Sequence, residues 1–266
     1  MANTVWITGA SSGLGKHTME ALLARGWQVA GGARSFTKAR EGSALLLPLD
    51  VTREESAAAF VQEALRAFGP PDALINAAGV LILGPAESLS LQEYQQVLEV
   101  NFLGAVRMTQ AALPLMRQRG GGKIVNYSSV NGLLATPFEG PYAASKHALE
   151  GWSEALHMEC APFGIQVMVV EPGDHQGGQS KYRPHAQRVE ESYRASFERV
   201  TAAIARDESG GSDPAKLGQK VARTLEKKRL PARLKAVKLP ERVALWLHDL
   251  LPSRIFLKLL SLYYGV

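Results

Sequence analysis

Between residues 4 and 173, short apolar runs alternate six times with stretches of helical periodicity, and brief turn-forming segments join them. The runs fall at residues 4–8, 28–32, 44–49, 73–75, 123–127 and 166–171. They are near-continuous rather than alternating apolar and polar, which predicts strands buried on both faces, as in a parallel sheet. Parallel neighbours need crossover connections, and the intervening helical stretches supply them. Thr52 with Glu55, and Ser90 with Glu93, have the spacing of capping boxes that open two of these helices. The expected fold is therefore α/β: one domain built on a doubly wound parallel sheet of about seven strands. The seventh strand is expected at residues 234–239, with a helical extension over 240–266. Residues 174–211 are polar and glycine-rich, with a helical piece near 189–205, and read as a flap over the site. Asp213-Pro214 places an N-cap before a proline and opens a helix to about residue 228.

The first strand runs directly into Gly9-Ala10-Ser11-Ser12-Gly13-Leu14-Gly15 and then a helix. Glycines at such a turn permit close backbone approach, and the free N–H groups of the new helix can hold a phosphate. The spacing is G-x-x-x-G-x-G, not G-x-G-x-x-G, so a purely structural turn is the competing reading. After the second strand comes Ala33-Arg34-Ser35, with no acid before Glu41. A carboxylate there would suit the ribose hydroxyls of NAD, whereas a guanidinium suits the extra phosphate of NADP. NADP(H) is therefore favoured over NAD(H), with Ser11 or Ser12 able to add a hydroxyl; the alternative has Arg34 merely facing water.

Tyr142 and Lys146 stand four apart at the start of a helical stretch, on one face. A nearby ammonium favours the ionised phenol and lowers its pKa from the usual value of about 10. Such a phenol can pass a proton to or from a carbonyl or alcohol oxygen. Asn101 falls in the middle of a long helical stretch, where its amide competes with the backbone. It is either an incidental exposed residue or a working one.

The 266 residues include a single cysteine, Cys160, so no internal disulfide forms and a reducing, cytoplasmic location is expected. The first strand begins too early for a signal peptide, and no run reaches the roughly 20 apolar residues of a membrane span. The six histidines are scattered, which argues against a metal centre. His147 reads as structural, and His175 as a candidate for the substrate entrance. No G-x-S-x-G elbow supports a hydrolase, and no nucleic-acid-binding motif is present. Residues 210–266 carry twelve Lys/Arg against four Asp/Glu, a surplus of +8 within a total of +5. A solvated basic face is the simplest explanation, with contact to an anionic membrane, nucleic acid or an acidic substrate as the alternatives. The apolar, weakly basic stretch at residues 254–264 has three readings: covering the substrate cleft, packing on a second subunit, or lying on a bilayer surface.

In order along the chain, Thr8-Gly9…Gly13-Leu14-Gly15, Asp50, Asn76-Ala77-Ala78-Gly79, Asn101, Ser129, Tyr142…Lys146 and Pro172-Gly173 resemble the motifs of the short-chain dehydrogenase/reductase family. The resemblance covers roughly residues 4–173 and is strongest to the hydroxysteroid and retinol dehydrogenase-like branch. It implies a single Rossmann-type domain and a catalytic tetrad of Asn101, Ser129, Tyr142 and Lys146. It further implies that Ser129 orients the substrate oxygen and that Tyr142 exchanges its proton. Lys146 would tune Tyr142 and reach the nicotinamide ribose, while Asn101 would hold a water linking Lys146 to solvent. Ser129 is preferred to Ser128 by its thirteen-residue separation from Tyr142. Asp50 and Val51 should border the adenine, and Asn76, Ala77 and Gly79 the cofactor cleft, with Pro172 and Gly173 at its far side. A homodimer or homotetramer is implied, acting on a fairly apolar small-molecule carbonyl or secondary alcohol; a non-catalytic nucleotide-binding protein is the alternative. The family's usual Thr after Pro-Gly is missing from Asp174-His175-Gln176-Gly177-Gly178, so Gln176 or the backbone must replace it.

Overall fold

The structure, a computed structural model, describes residues 2–176, 184–186 and 188–266. Among the described residues seven strands run parallel: β1 (Thr4–Thr8), β2 (Gln28–Ala33), β4 (Ala44–Pro48), β5 (Ala73–Asn76), β6 (Gly122–Tyr127), β7 (Ile165–Pro172) and β8 (Arg233–Ala236). An eighth, β3 (Ala39–Glu41), lies antiparallel against β4 at the sheet edge, and the order is β3-β4-β2-β1-β5-β6-β7-β8. β3 is invisible in the sequence because Ala39-Arg40-Glu41 is short, exposed and without an apolar face. Strand β8 starts at Arg233 and ends at Ala236, earlier than the hydropathy pattern suggests, because its partner β7 ends at Pro172.

Successive strand residues point to opposite faces, and the core divides accordingly. Trp6, Leu74, Ile124 and Val167 face one layer, where helices α2 (Glu54–Phe68), α4 (Gly104–Gln118) and α5 (Gly140–Cys160) bring Phe60, Met108, Met116 and Leu156. Val5, Ile75, Val125 and Met168 face the other, against α1 (Gly13–Leu23) and α7 (Pro214–Leu225). Full burial of each such aliphatic side chain is worth roughly 1.5–3 kcal/mol, so both faces must be covered.

Two helix starts behave differently. Ser90 and Glu93 form the expected capping box at the head of α3 (Leu91–Leu98). Thr52 and Glu55 do not: Thr52 bonds the Asp50 carboxylate instead, and α2 begins at Glu54. The long helix expected around Asn101 is interrupted by a π-helical turn, Glu99–Leu103, between α3 and α4. Helix α6 (Glu191–Ser209) occupies much of the segment read as a flap, while residues 177–183 and 187 of that segment lie outside the described residues. The chain closes with α8 (Leu239–Leu250) and α9 (Ser253–Tyr264).

Candidate active site

The chain builds the sheet outward from β1 to β2 and β4, then returns to β5 on the other side of β1. A cleft opens at such a reversal, beyond the carboxyl ends of the strands. Its floor requires glycine. Gly9 has φ +68°, and a Cβ there would lie 2.7 Å from the Ala77 carbonyl oxygen; a Cβ on Gly15 would overlap the Gly9 carbonyl. Thr8 Oγ1 accepts from the Ala77 and Ala78 N–H groups at 3.1 Å each, joining the turns after β1 and β5. From here a cavity of about 670 Å³ runs across the sheet edge to α9.

At one end it is lined by Ser11, Ser12, Gly13, Leu14, Arg34, Asp50 and Val51. Burial alone would raise the Asp50 pKa, but the bonds from Thr52 and the charges of Arg34 and Arg53 outweigh it and hold the carboxyl below its usual range. Asp50 is therefore ionised beside the exposed Arg34, whose charge it partly offsets. Ala77, Gly79, Pro172 and Gly173 line the middle. Asn76 does not reach the cavity. It is the last residue of β5 and its amide points into the α4–α5 layer, donating to Thr109 Oγ1 at 3.1 Å and Asn126 Oδ1 at 2.9 Å.

Tyr142, Lys146 and Ser129 all line the cavity. Lys146 is buried, its Nζ donates to the Tyr127 carbonyl at 2.7 Å and lies 5.6 Å from the Tyr142 ring centre. Burial lowers the Lys146 pKa to about 8, and the Glu150 carboxylate one turn along α5 opposes that fall. Ser129 caps a 3₁₀ turn, accepting from the Asn131 N–H at 3.1 Å, so its own proton is left to donate. Ser128 is buried behind it, near Glu150 across Gly132.

Asn101 lies behind this wall. Its Oδ1 accepts from the Val80 N–H at 2.7 Å, and its Nδ2 donates to the Val80 carbonyl and to Ser145 Oγ, both at 2.9 Å. Ser145 in turn donates to the Tyr142 carbonyl at 2.7 Å. The side chain thus ties the turn after β5 to the first turn of α5. These bonds use both Nδ2 hydrogens and one lone pair of Oδ1; the same oxygen and Lys146 Nζ lie 3.6 and 3.9 Å from where a Cβ on Gly79 would stand. The π-helical turn is what allows an asparagine in this stretch, and such turns concentrate at functional sites.

Behind Lys146 sits a charge cluster that sequence reading missed. Arg233 on β8 reaches Glu150 at 2.6 Å and Glu154 at 2.6 Å, and also contacts the fully buried Glu171. These residues are up to 83 positions apart, so no local pattern joins them.

The other end of the cavity has an apolar wall of Leu134, Ala244, Leu247, Phe256 and Leu260 with Tyr264, and the carboxylates Glu139, Asp174, Asp207 and Glu208 also line the cavity. Burial of Tyr264 among Glu139, Asp174 and Asp207 pushes its hydroxyl pKa up. His175 lines this end; burial lowers its pKa, and Nδ1 bonds the Gly173 carbonyl at 2.8 Å. Gln176 also borders it, where the family's threonine is missing. Helix α9 therefore covers the cleft, the first of its three sequence readings.

The glycine cradle, the basic rim at Arg34 and a cavity long enough to continue past Tyr142 fit a dinucleotide. Gly9, Ser11, Ser12, Gly13, Leu14 and Gly15 would hold its phosphates. No group of three or more potential metal ligands occurs among the described residues, and no helix among them is long and apolar enough to cross a membrane.

The family model for short chain dehydrogenases matches residues 3–186. A 3-ketodihydrosphingosine reductase from Bacteroides thetaiotaomicron is 36% identical over 264 residues, covering 98% of each chain. Human retinol dehydrogenase 8 is 41% identical over 184 residues, covering 64% of this chain and 58% of its own. The solved structure of a short-chain dehydrogenase from Streptomyces avermitilis is 31% identical, with a TM-score of 0.82 over 97% of this chain and 96% of its own. Sheet order, glycine turn, Tyr142–Lys146 pair and these likenesses agree: the chain belongs to the short-chain dehydrogenase/reductase family of oxidoreductases.

Proposed function

We propose that the chain interconverts a ketone and a secondary alcohol on a long-chain, amphiphilic substrate, using NADP(H). The observation that carries this reading is that one cavity is lined by Tyr142, Lys146 and Ser129, by the glycine turn and by an apolar pocket. When bound, the reduced nicotinamide supplies the hydride. Ser129 donates a hydrogen bond to the substrate oxygen and holds it at Tyr142. Tyr142 gives its proton to that oxygen in reduction, or takes one in oxidation. Lys146, charged below about pH 8, stabilises the Tyr142 phenolate left behind. Asn101 acts as a positioning residue for α5 through Ser145. Arg34 meets the additional phosphate of NADP, and Asp50 and Val51 border the adenine.

The substrate class rests on the far end of the cavity. Apart from Leu134, its apolar wall is built from residues 244–264, beyond the family-model match, and the Bacteroides relative shares this region within its 98% coverage. That relative is named for a ketone on a long-chain base. Glu139, Asp174, Asp207 and Glu208 lie on the same end, which suits a substrate bearing a cationic amine beside the ketone. Exposed Leu103 in the π-helical turn and Met158 on α5, with partly buried Trp152, offer a self-association face for a homodimer or homotetramer. Buried Cys160 is consistent with a cytoplasmic enzyme.

Oxidation of NADPH should be followed with a series of ketones of increasing alkyl length, with and without a neighbouring amine. Catalytic efficiency should rise with chain length. Equal rates on short, polar ketones would refute the substrate class, and no carbonyl turnover at all would refute the reaction.

A further inference from the structure

The surface of this protein is unevenly apolar. Of the fourteen large hydrophobic side chains that are exposed among the described residues, ten lie on residues 239–266. On α8 they are Leu239, Val243, Trp246 and Leu250, spaced four, three and four apart, which makes one continuous stripe. The opposite side of α8 is the one that packs, through Leu245. On α9, Ile255, Leu259 and Leu262 repeat the pattern, while Phe256 and Leu260 face the protein. An exposed apolar surface of this extent marks an interaction site.

Two further facts identify what covers it. Val243 and Leu259, one from each stripe, also line the active-site cavity, so the cavity mouth opens within this surface. Arg242, Arg254 and Lys258 flank the stripes, are exposed, and pair with no carboxylate among the described residues. Two copies joined about a two-fold axis would bring these like charges together. An anionic bilayer meets both the apolar stripes and the uncompensated cations.

We propose that α8 and α9 dock the enzyme on the surface of an anionic membrane, with the cavity mouth facing the lipid so that a long-chain substrate enters without crossing water. The docking geometry stands on the surface alone, while the role in substrate entry rests on the proposed long-chain ketone chemistry. Contact is peripheral: the helices lie in the interface and span nothing.

Trp246 provides the readout. It is 61% exposed, whereas Trp6 and Trp27 are buried and Trp152 is partly so. The full chain is titrated with vesicles of phosphatidylcholine containing roughly a third phosphatidylglycerol, and with phosphatidylcholine alone, in low salt. Tryptophan emission should shift to the blue and the protein should co-sediment with the anionic vesicles. Three cations, each worth roughly a factor of five at such a surface, predict binding on the order of a hundredfold weaker to neutral vesicles. Trp246→Phe should keep vesicle binding and lose the spectral shift. Trp246→Glu with Leu262→Glu should lose co-sedimentation while turnover of a short, water-soluble ketone is unchanged, and turnover of vesicle-borne long-chain ketone should fall. Absence of binding to anionic vesicles would overturn the docking proposal, as would a stable dimer in solution that the double variant dissociates. Turnover of no ketone at all would instead refute the proposed reaction, and vesicle binding would stand apart from it.

Discussion

Replacing Arg233 by methionine removes a cation that two buried carboxylates share. Glu150 and Glu171 are 7% and 0% exposed, and each lies in direct contact with the Arg233 guanidinium. Losing one partner of a buried pair costs about 3–5 kcal/mol, because the remaining charge stays desolvated. Arg233 is itself 33% exposed, which places the expected loss near the lower end, about 3 kcal/mol. Its contact with Glu154, which is 63% exposed, adds little. At roughly 2–4 °C per kcal/mol for a chain of this size, the melting temperature should fall by about 6–12 °C at neutral pH. The pH dependence gives the sharper test. In the variant, the Glu150 carboxyl, without the opposing guanidinium, has a folded-state pKa raised further above its unfolded value, so its protonation favours the folded chain. Burial already pushes Glu150 up in the parent protein, with Glu171 adding to it and Ser128 and Arg233 opposing. The gap between parent and variant should therefore be widest at neutral pH and above, and narrow on acidification as Glu150 takes up a proton. Thermal unfolding followed by circular dichroism across that range reads it directly. An unchanged melting temperature at neutral pH, or a gap that widens in acid, would refute the assignment of Arg233 as their shared counter-ion.

Gly9→Ala should weaken NADPH binding at least about tenfold, since the left-handed backbone costs roughly 1–2 kcal/mol and the new methyl meets the Ala77 carbonyl; unaltered affinity by cofactor fluorescence contradicts the cradle. Arg34→Asp should shift preference from NADPH toward NADH, read as the ratio of kcat/KM values. Persistence of the NADPH preference would remove Arg34 from the phosphate site. Reduction by the parent enzyme should decline as pH rises through about 8, where Lys146 loses its charge. Glu150→Gln should move that decline to lower pH, because the Glu150 carboxylate is what partly holds the Lys146 pKa up, with Glu171 and Arg233 next to it. A decline that stays in place excludes the coupling.

The parts of the site made from consecutive residues were legible in the sequence. The glycine turn follows directly from β1, and Tyr142 and Lys146 share a helix face by spacing alone. What the sequence conceals is which way a strand-end side chain points. Asn76 stands at the end of β5 as expected, yet its amide turns inward to Thr109 and Asn126. Asn101 looked anomalous in a helix, and the π-helical turn accounts for it, but its side chain braces the site from behind. Thr52 seemed a helix cap by its spacing from Glu55, and the closer Asp50 carboxylate took its hydroxyl. The Arg233 cluster and the α8–α9 wall are assembled from distant segments, and no periodicity reports such pairings. Residues 254–264 were recognisably apolar and weakly basic, while the choice of what they cover needed the cavity.

The central claim is that Tyr142, supported by Lys146, hands a proton to the substrate oxygen as hydride is delivered. Single-turnover hydride transfer in the Tyr142→Phe variant, with NADPH affinity measured in the same samples, tests it most directly. Binding should stay within about twofold of the parent while the transfer rate falls by roughly 10²-fold or more, the scale of a lost general acid. Transfer at the parent rate with the phenol gone would contradict the account.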